Sequence, residues 1–356
     1  MADFNLDPDT ALLVASRGTG PEHGLTRWIQ REGRWEGKLL DRVNQLSSLA
    51  RHPALPVLYG TSRMGAEGDI HAWRIEGDAA TSLGEKSSEG GEPCHLAVDP
   101  TGSLLIFANY NSCDIGLQRL DSSGGFAGPV SLLRLRGRGP EAGRQDDAHP
   151  HQLFFIGNTL VVIDLGADLV REYAVDLARE GARALVETRG TAVTAGCGPR
   201  HGVVLPDGRL ALTGELGSNL VVGRLGEPAD AWVAVRSTLG TGPARTRHLR
   251  NYPGDIQRAP DGRHVYFANR GYDTVTTFDV TAHVPVLVSE VETGTAWPQH
   301  LVATKDHLLV AGWDSSQVRC FSLQDGRPAA GVTLFDCPGA GWLMLWDRPG
   351  FGTTYT

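Results

Sequence analysis

One two-part unit recurs six times along this chain, and its polar residues return to the same places each time. An apolar run opens on a polar residue, turns, and a second apolar run closes on another polar residue about fourteen positions later. The clearest copy reads Arg200-His201-Gly202-Val203-Val204-Leu205, then Pro206-Asp207-Gly208-Arg209, then Leu210-Ala211-Leu212-Thr213-Gly214-Glu215. In the other copies the opening and closing residues are His95 and Asn109, His151 and Asp164, Asp255 and Asn269-Arg270, and His300 and Trp313-Asp314. A degenerate first copy pairs Ser48 with Ser62. Asp-Gly between two apolar runs is a hairpin signal. A hairpin sets its ends side by side, so each opening residue is expected beside its own closing residue. Stacking the repeats around an axis then gathers all of them on one face.

The repeat averages about fifty residues, a period that with β-type content means a propeller of four-stranded blades. Third strands are expected where each unit continues to an aromatic ending, at Ile70–Trp73, Val170–Tyr173, Val275–Phe278 and Val318–Phe321, and a fourth strand at Val130–Leu135. Two ends remain unmatched. Ala11–Ser16 and Gly24–Trp28 at one end, with Gly341–Trp346 and Phe351–Thr356 at the other, are expected to pair into one further blade. That pairing closes the ring and removes its free sheet edges. The expectation is an all-β, seven-bladed propeller of antiparallel sheets, residues 1–356 forming one domain. Only 176–186 reads as helical, and Gly181 weakens it. An alternating α/β fold is therefore disfavoured. Forty-five glycines and twenty prolines suit a chain with this many turns.

A formal charge of −8 with scattered arginines gives no basic stripe for nucleic acid. No run approaches a membrane span, and the start Met1-Ala2-Asp3-Phe4-Asn5 has no apolar leader. Five cysteines, Cys94, Cys113, Cys197, Cys320 and Cys337, show neither CxxC nor zinc spacing. They are expected to be reduced thiols in a cytoplasmic protein. The polar loop 136–148 runs directly into His149 and is expected on the functional face.

Several segments together resemble one family. Ala148-His149-Pro150-His151-Gln152, Asp164-Leu165-Gly166-Ala167-Asp168, Gly198-Pro199-Arg200-His201, Gly214-Glu215-Leu216 and Asn269-Arg270-Gly271, in this order, are similar to the seven-bladed lactonase propellers. That family includes 6-phosphogluconolactonases and carboxymuconate-lactonising enzymes; Phe107-Ala108-Asn109-Tyr110 resembles another of its segments. The likeness implies an intracellular lactonase with a catalytic group of His151, Arg200, Glu215 and Arg270. Three positions depart from the family pattern: Gly214 where Asn is frequent, Gln299 where Arg is common, and Cys113 where Gly is usual.

Lactone opening needs a water, a base to activate it and donors for the oxyanion. The sequence has no G-x-S-x-G elbow, which argues against a covalent serine route. Arg200 and Arg270 are expected to grip an anionic group and the oxyanion through planar guanidinium forks. Glu215 or His151 is expected to act as base, and the other as acid. His95, Asn109, His149, Asp164, His201, Asp255 and His300, at the repeat ends, are the candidate substrate-binding residues. His201 follows Arg200, so on a regular strand it would face the other way and pack. No metal or other cofactor is expected, because two arginines at the mouth would repel a divalent ion. The alternatives are a carboxymuconate-type lactonising cycloisomerase and a non-catalytic propeller that displays loops to a protein partner.

Overall fold

The computed structural model describes residues 10–64, 66–239 and 250–347. It contains seven four-stranded antiparallel sheets. Six are built consecutively, each with its first strand innermost: Leu46–Arg51, Pro93–Val98, Pro150–Ile156, Pro199–Val204, Tyr252–Arg258 and Pro298–Ala303. The seventh takes its innermost strand, Ala340–Trp346, from one end of the chain and Ala11–Ser16, Gly24–Arg31 and Arg34–Arg42 from the other. Each innermost strand touches the next around the ring, and Ala340–Trp346 touches both Pro298–Ala303 and Leu46–Arg51. The expected closure by both termini is therefore present, although Phe351–Thr356 lies outside the described residues.

Burial explains the composition of each strand. Second strands such as Leu104–Asn109 are covered on both faces by neighbouring blades and are buried throughout, so they read as unbroken apolar runs. Outer strands such as Val233–Arg236 alternate between half-buried and exposed residues, the pattern of a sheet edge with one wet face. Seven apolar clusters fill the seven blade interfaces, one per interface. The largest joins the blades that begin at Pro93 and Pro150, around Ile106, Ile115, Leu153, Val162 and Tyr173. The segment read as helical is only a short 3-10 turn, Gly181–Ala184, leading into strand Leu185–Ala192.

The hairpin register departs from the expected one in the same way in every copy. Pro93 lies opposite Asn109, Pro150 opposite Asp164, Pro199 opposite Gly214, Pro253 opposite Asn269, Pro298 opposite Gly312 and Leu46 opposite Ser62. A register shift follows at once in all six. His95, His300 and Ser48 consequently sit opposite Ala108, Ala311 and Thr61, one step deeper than their expected partners. The bulge inserts extra residues into the inner strand and re-aims their side chains.

The turn between second and third strands is also repeated. Cys113, Asp168, Ser218, Asp273 and Ser316 occupy the same place in five blades, all with positive φ of 50–59°. Short polar residues tolerate this left-handed conformation, and two of them put it to use. Asp168 accepts the backbone N–H of Gly196 and Gly198, and Asp273 that of Trp297. Each carboxylate ties its blade to the approach of the next inner strand, just ahead of Pro199 or Pro298. The positions of Arg200 and Gln299 are thus fixed from the neighbouring blade.

Candidate active site at the channel mouth

Three positions of the repeat, two successive on the inner strand and one at the end of the second strand, decide what lines the channel. Immediately after Leu46, Pro93, Pro150, Pro199, Pro253 and Pro298 come Ser47, Cys94, His151, Arg200, Gly254 and Gln299, with Gly341 after Ala340 in the closing blade. One step further come Ser48, His95, Gln152, His201, Asp255 and His300, with Trp342. The residue after the second strand's closing position is Arg17, Arg63, Tyr110, Leu165, Glu215, Arg270 or Trp313. The charged and imidazole side chains of these three positions meet at the axis.

Glu215 is the centre of the charged group. Its Oε1 accepts from Arg144 Nη2 at 2.6 Å, and its Oε2 from Arg270 Nη2. Arg200 Nε lies 3.1 Å from the same Oε2. That separation pairs the charges, but the N–H is not aligned on the oxygen, so Arg200 Nε and Nη1 remain buried donors without an acceptor. Arg17, stacked 3.6 Å above the Trp313 ring, and Arg63, 3.9 Å from Glu92, each leave a buried Nε unpartnered as well. Five guanidinium groups thus meet three carboxylates, Glu215, Glu92 and, beside the histidines, Asp255. Arg17 is pulled well below its ordinary value by burial and by Arg63, Arg200 and Arg270. Arg200 is pulled down to about 9 by burial and by Arg270. Both remain charged at neutral pH, in surroundings where guanidinium groups outnumber carboxylates. Burial would raise the Glu215 carboxyl, but Arg270, Arg200 and Arg144 outweigh it and hold it well below the usual carboxylate range.

Below the arginines lies an imidazole cluster. The His201 ring is 5.2 Å from His151, 5.6 Å from His95 and 6.4 Å from Trp342, centroid to centroid, and His300 stacks on Trp342 at 4.0 Å. Asp255 anchors the cluster, bonded to His201 Nδ1 at 2.9 Å. His201 therefore does not turn away to pack behind Arg200; the bulge between Pro199 and Gly202 brings both neighbours to the channel. His95 Nδ1, His151 Nδ1 and His201 Nε2 are buried with no partner. Burial first of all, with Arg200 acting in the same direction, lowers His95, His151, His201 and His300 below their ordinary value. All four are neutral at pH 7.

The other three candidates are not brought into this group. Asn109 donates its amide to Asp114 Oδ1 in its own blade and to Ser88 O, just past the outer strand of the preceding one. Asp164, fully buried, is gripped by Arg171 Nε and Nη2 and accepts the His149 and Ala167 backbone N–H groups. His149 stacks on Tyr110 at 4.5 Å and bonds its carbonyl through Nδ1. These residues brace the turns that carry the site. Arg17, Arg63 and Arg144 were not among the sequence candidates. Arg63 shares the repeat position of Glu215 and Arg270, which is a usable signal; Arg144 reaches in from the polar loop.

The neutral histidines predict an acid sensitivity of known sign. Their folded values lie below the ordinary one, near 6.5, so the unfolded chain takes up protons first. Stability is complete above that pH and falls as pH drops below it, by up to about 1.4 kcal/mol per pH unit for each histidine. Urea unfolding at pH 7.5, 6.5 and 5.5 reads this directly. An unchanged unfolding free energy across that range would mean that the histidines take up protons in the fold as they do in the unfolded chain.

A family model described as "Lactonase, 7-bladed beta-propeller" matches residues 30–344. The chain belongs to this lactonase propeller family. A relative, the 6-phosphogluconolactonase of Bacillus subtilis (strain 168), is 27% identical over 274 residues, covering 75% of this chain and 76% of that protein. A solved structure from Lactobacillus plantarum superposes with a TM-score of 0.82 at 25% identity, covering 95% of this chain and 99% of that one. A putative 6-phosphogluconolactonase from Bacteroides fragilis gives 0.82 at 21% identity, over 96% and 99% of the two chains, and attests the fold. Among the described residues of this lactonase propeller, no group of three or more His, Cys, Asp or Glu is arranged to hold a metal ion.

Proposed function

We propose that this protein hydrolyses an anionic sugar lactone of the 6-phosphogluconolactone type in the channel mouth, by acid–base chemistry on water without a metal. The observation that carries this reading is the excess of guanidinium charge, with buried donors of Arg17, Arg63 and Arg200 left without acceptors. A buried donor without an acceptor costs about 1–3 kcal/mol, and an anionic substrate satisfies donors and charge together. Arg200, nearest the histidines, is placed to hold the oxyanion; His151, which follows Pro150 as Arg200 follows Pro199, donates to or accepts from the reacting group. Glu215, ionised and held by three arginines, orients them and is a poor acid. The names of relatives support the substrate type, and five unpaired, buried cysteines support a reducing, cytoplasmic setting.

The test is a panel of phosphorylated, carboxylated and neutral lactones, followed by proton release at constant pH. Phosphorylated lactones should be opened fastest, inorganic phosphate should compete, and activity should survive chelation. A panel in which no lactone opens above its uncatalysed rate would remove the enzymatic reading.

A further inference from the structure

We propose that His201, held by Asp255, is the base that takes the proton from the attacking water; this deepens the lactonase reading and rests on it. The Asp255 carboxylate is buried and accepts from Leu301 N at 2.9 Å, Gln257 Nε2 at 3.1 Å and His201 Nδ1 at 2.9 Å. With His300 Nε2 also 3.6 Å away, the carboxyl stays ionised, held below its usual range by His300 and His201 against the effect of burial. An ionised carboxylate only accepts. The proton of neutral His201 is therefore on Nδ1, and Nε2 carries a free lone pair. That Nε2 is buried and unpartnered. The rest of the residue is fixed, since its backbone N–H donates to Thr213 Oγ1 at 3.0 Å.

The other three channel histidines lack one of the two requirements, an open nitrogen and a counter-charge. His95 and His151 have an open Nδ1 but no carboxylate within ion-pair distance among the described residues. His300 faces Asp255, but its Nδ1 accepts from Leu343 N at 3.3 Å and its Nε2 is turned to the carboxylate. His201 alone joins both. When it takes a proton, the imidazolium already lies 2.9 Å from a carboxylate, as in the Asp–His pair of hydrolases.

The step balances without a further reactant. Water oxygen attacks the lactone carbonyl carbon as its proton moves to His201 Nε2, and the carbonyl electrons form an oxyanion beside Arg200. Collapse restores the carbonyl and breaks the bond to the ring oxygen, which takes the proton back from His201. The products are a hydroxy acid, ionised at neutral pH, and one proton released to solvent. The groups facing His201 are Arg200 on its own strand, Asp255 and His300 on two other blades, and the neutral rings of His95 and His151. In the free protein, burial and Arg200 hold His201 down to about 4. An anion on the arginines offsets Arg200, so the bound substrate itself makes the base stronger.

The decisive variants are His201→Gln and Asp255→Asn, compared with the parent enzyme. His201→Gln should lower kcat by about 10²–10⁴-fold with little change in KM. Asp255→Asn should lower kcat and move the acid limb of the rate profile to lower pH, which a purely structural role would not do. Independently of folding of the variants, ¹⁵N NMR of the parent should show His201 as the Nδ1–H tautomer. An Nε2–H tautomer, or His201→Gln within about threefold of parental turnover, overturns the assignment while leaving lactone hydrolysis standing. A parent protein that opens no lactone removes both.

Discussion

Glu215→Gln is expected to lower the unfolding free energy by about 3–5 kcal/mol, the usual effect of removing one partner from a buried ion group. The substitution keeps shape but leaves Arg144, Arg200 and Arg270 without the carboxylate they share. Turnover on the cognate lactone should fall with it by at least about 10²-fold, because the arginines lose their common anchor. The distinguishing observation is rescue. Phosphate in the buffer should raise the melting temperature of Glu215→Gln more than that of the parent, since an anion binding only the folded state stabilises it by mass action. A variant as stable as the parent, inactive and indifferent to phosphate, would instead make Glu215 the proton-transfer group. The pH dependence has a fixed sign too: the carboxyl is depressed in the fold, so its contribution is present above the ordinary glutamate value and is lost as pH falls through the folded one.

Arg200→Lys should cost about 10²–10³-fold in kcat/KM although it conserves charge. Lysine offers a point charge on a flexible stem, whereas the two open donors of Arg200 belong to one rigid plane. Loss of one preorganised oxyanion donor typically has this size. The same exchange at Arg63 or Arg17, further from the histidines, should raise KM and weaken phosphate inhibition while leaving kcat closer to parental. Equal kinetics for Arg200→Lys and the parent would show that the oxyanion sits elsewhere.

Much of this was legible in the chain because the repeat is physical. Period, hairpin turns and apolar runs such as Leu104–Asn109 follow from blades that pack on both faces, and the closing blade follows from the need to bury two odd ends. The meeting of His151, Arg200, Glu215 and Arg270 was legible by the same register. What the sequence hid is the bulge after Pro199 and its five counterparts, because an inserted residue changes no composition and breaks no apolar pattern. Without it His201 is assigned to the wrong side. Asn109, Asp164 and His149 misled for a different reason: a polar residue at a strand end serves a turn as readily as a ligand. Arg144 acts across 71 positions of sequence, a proximity that no local spacing records.

The closing blade also orders events during synthesis. Arg17 stands at one end of the chain and Trp342 at the other, and the strands that carry them pair directly, Ala15 opposite Trp342. Until the strand Ala340–Trp346 has been made, the largely apolar strand Ala11–Ser16 has no partner on its inner side, and the imidazole cluster lacks the indole against which His300 stacks. Pairing at such long separation is slow and leaves exposed edges open to association. Ring closure and completion of the imidazole cluster therefore arrive together in a single late event, and a chain clipped before Trp342 loses both at once.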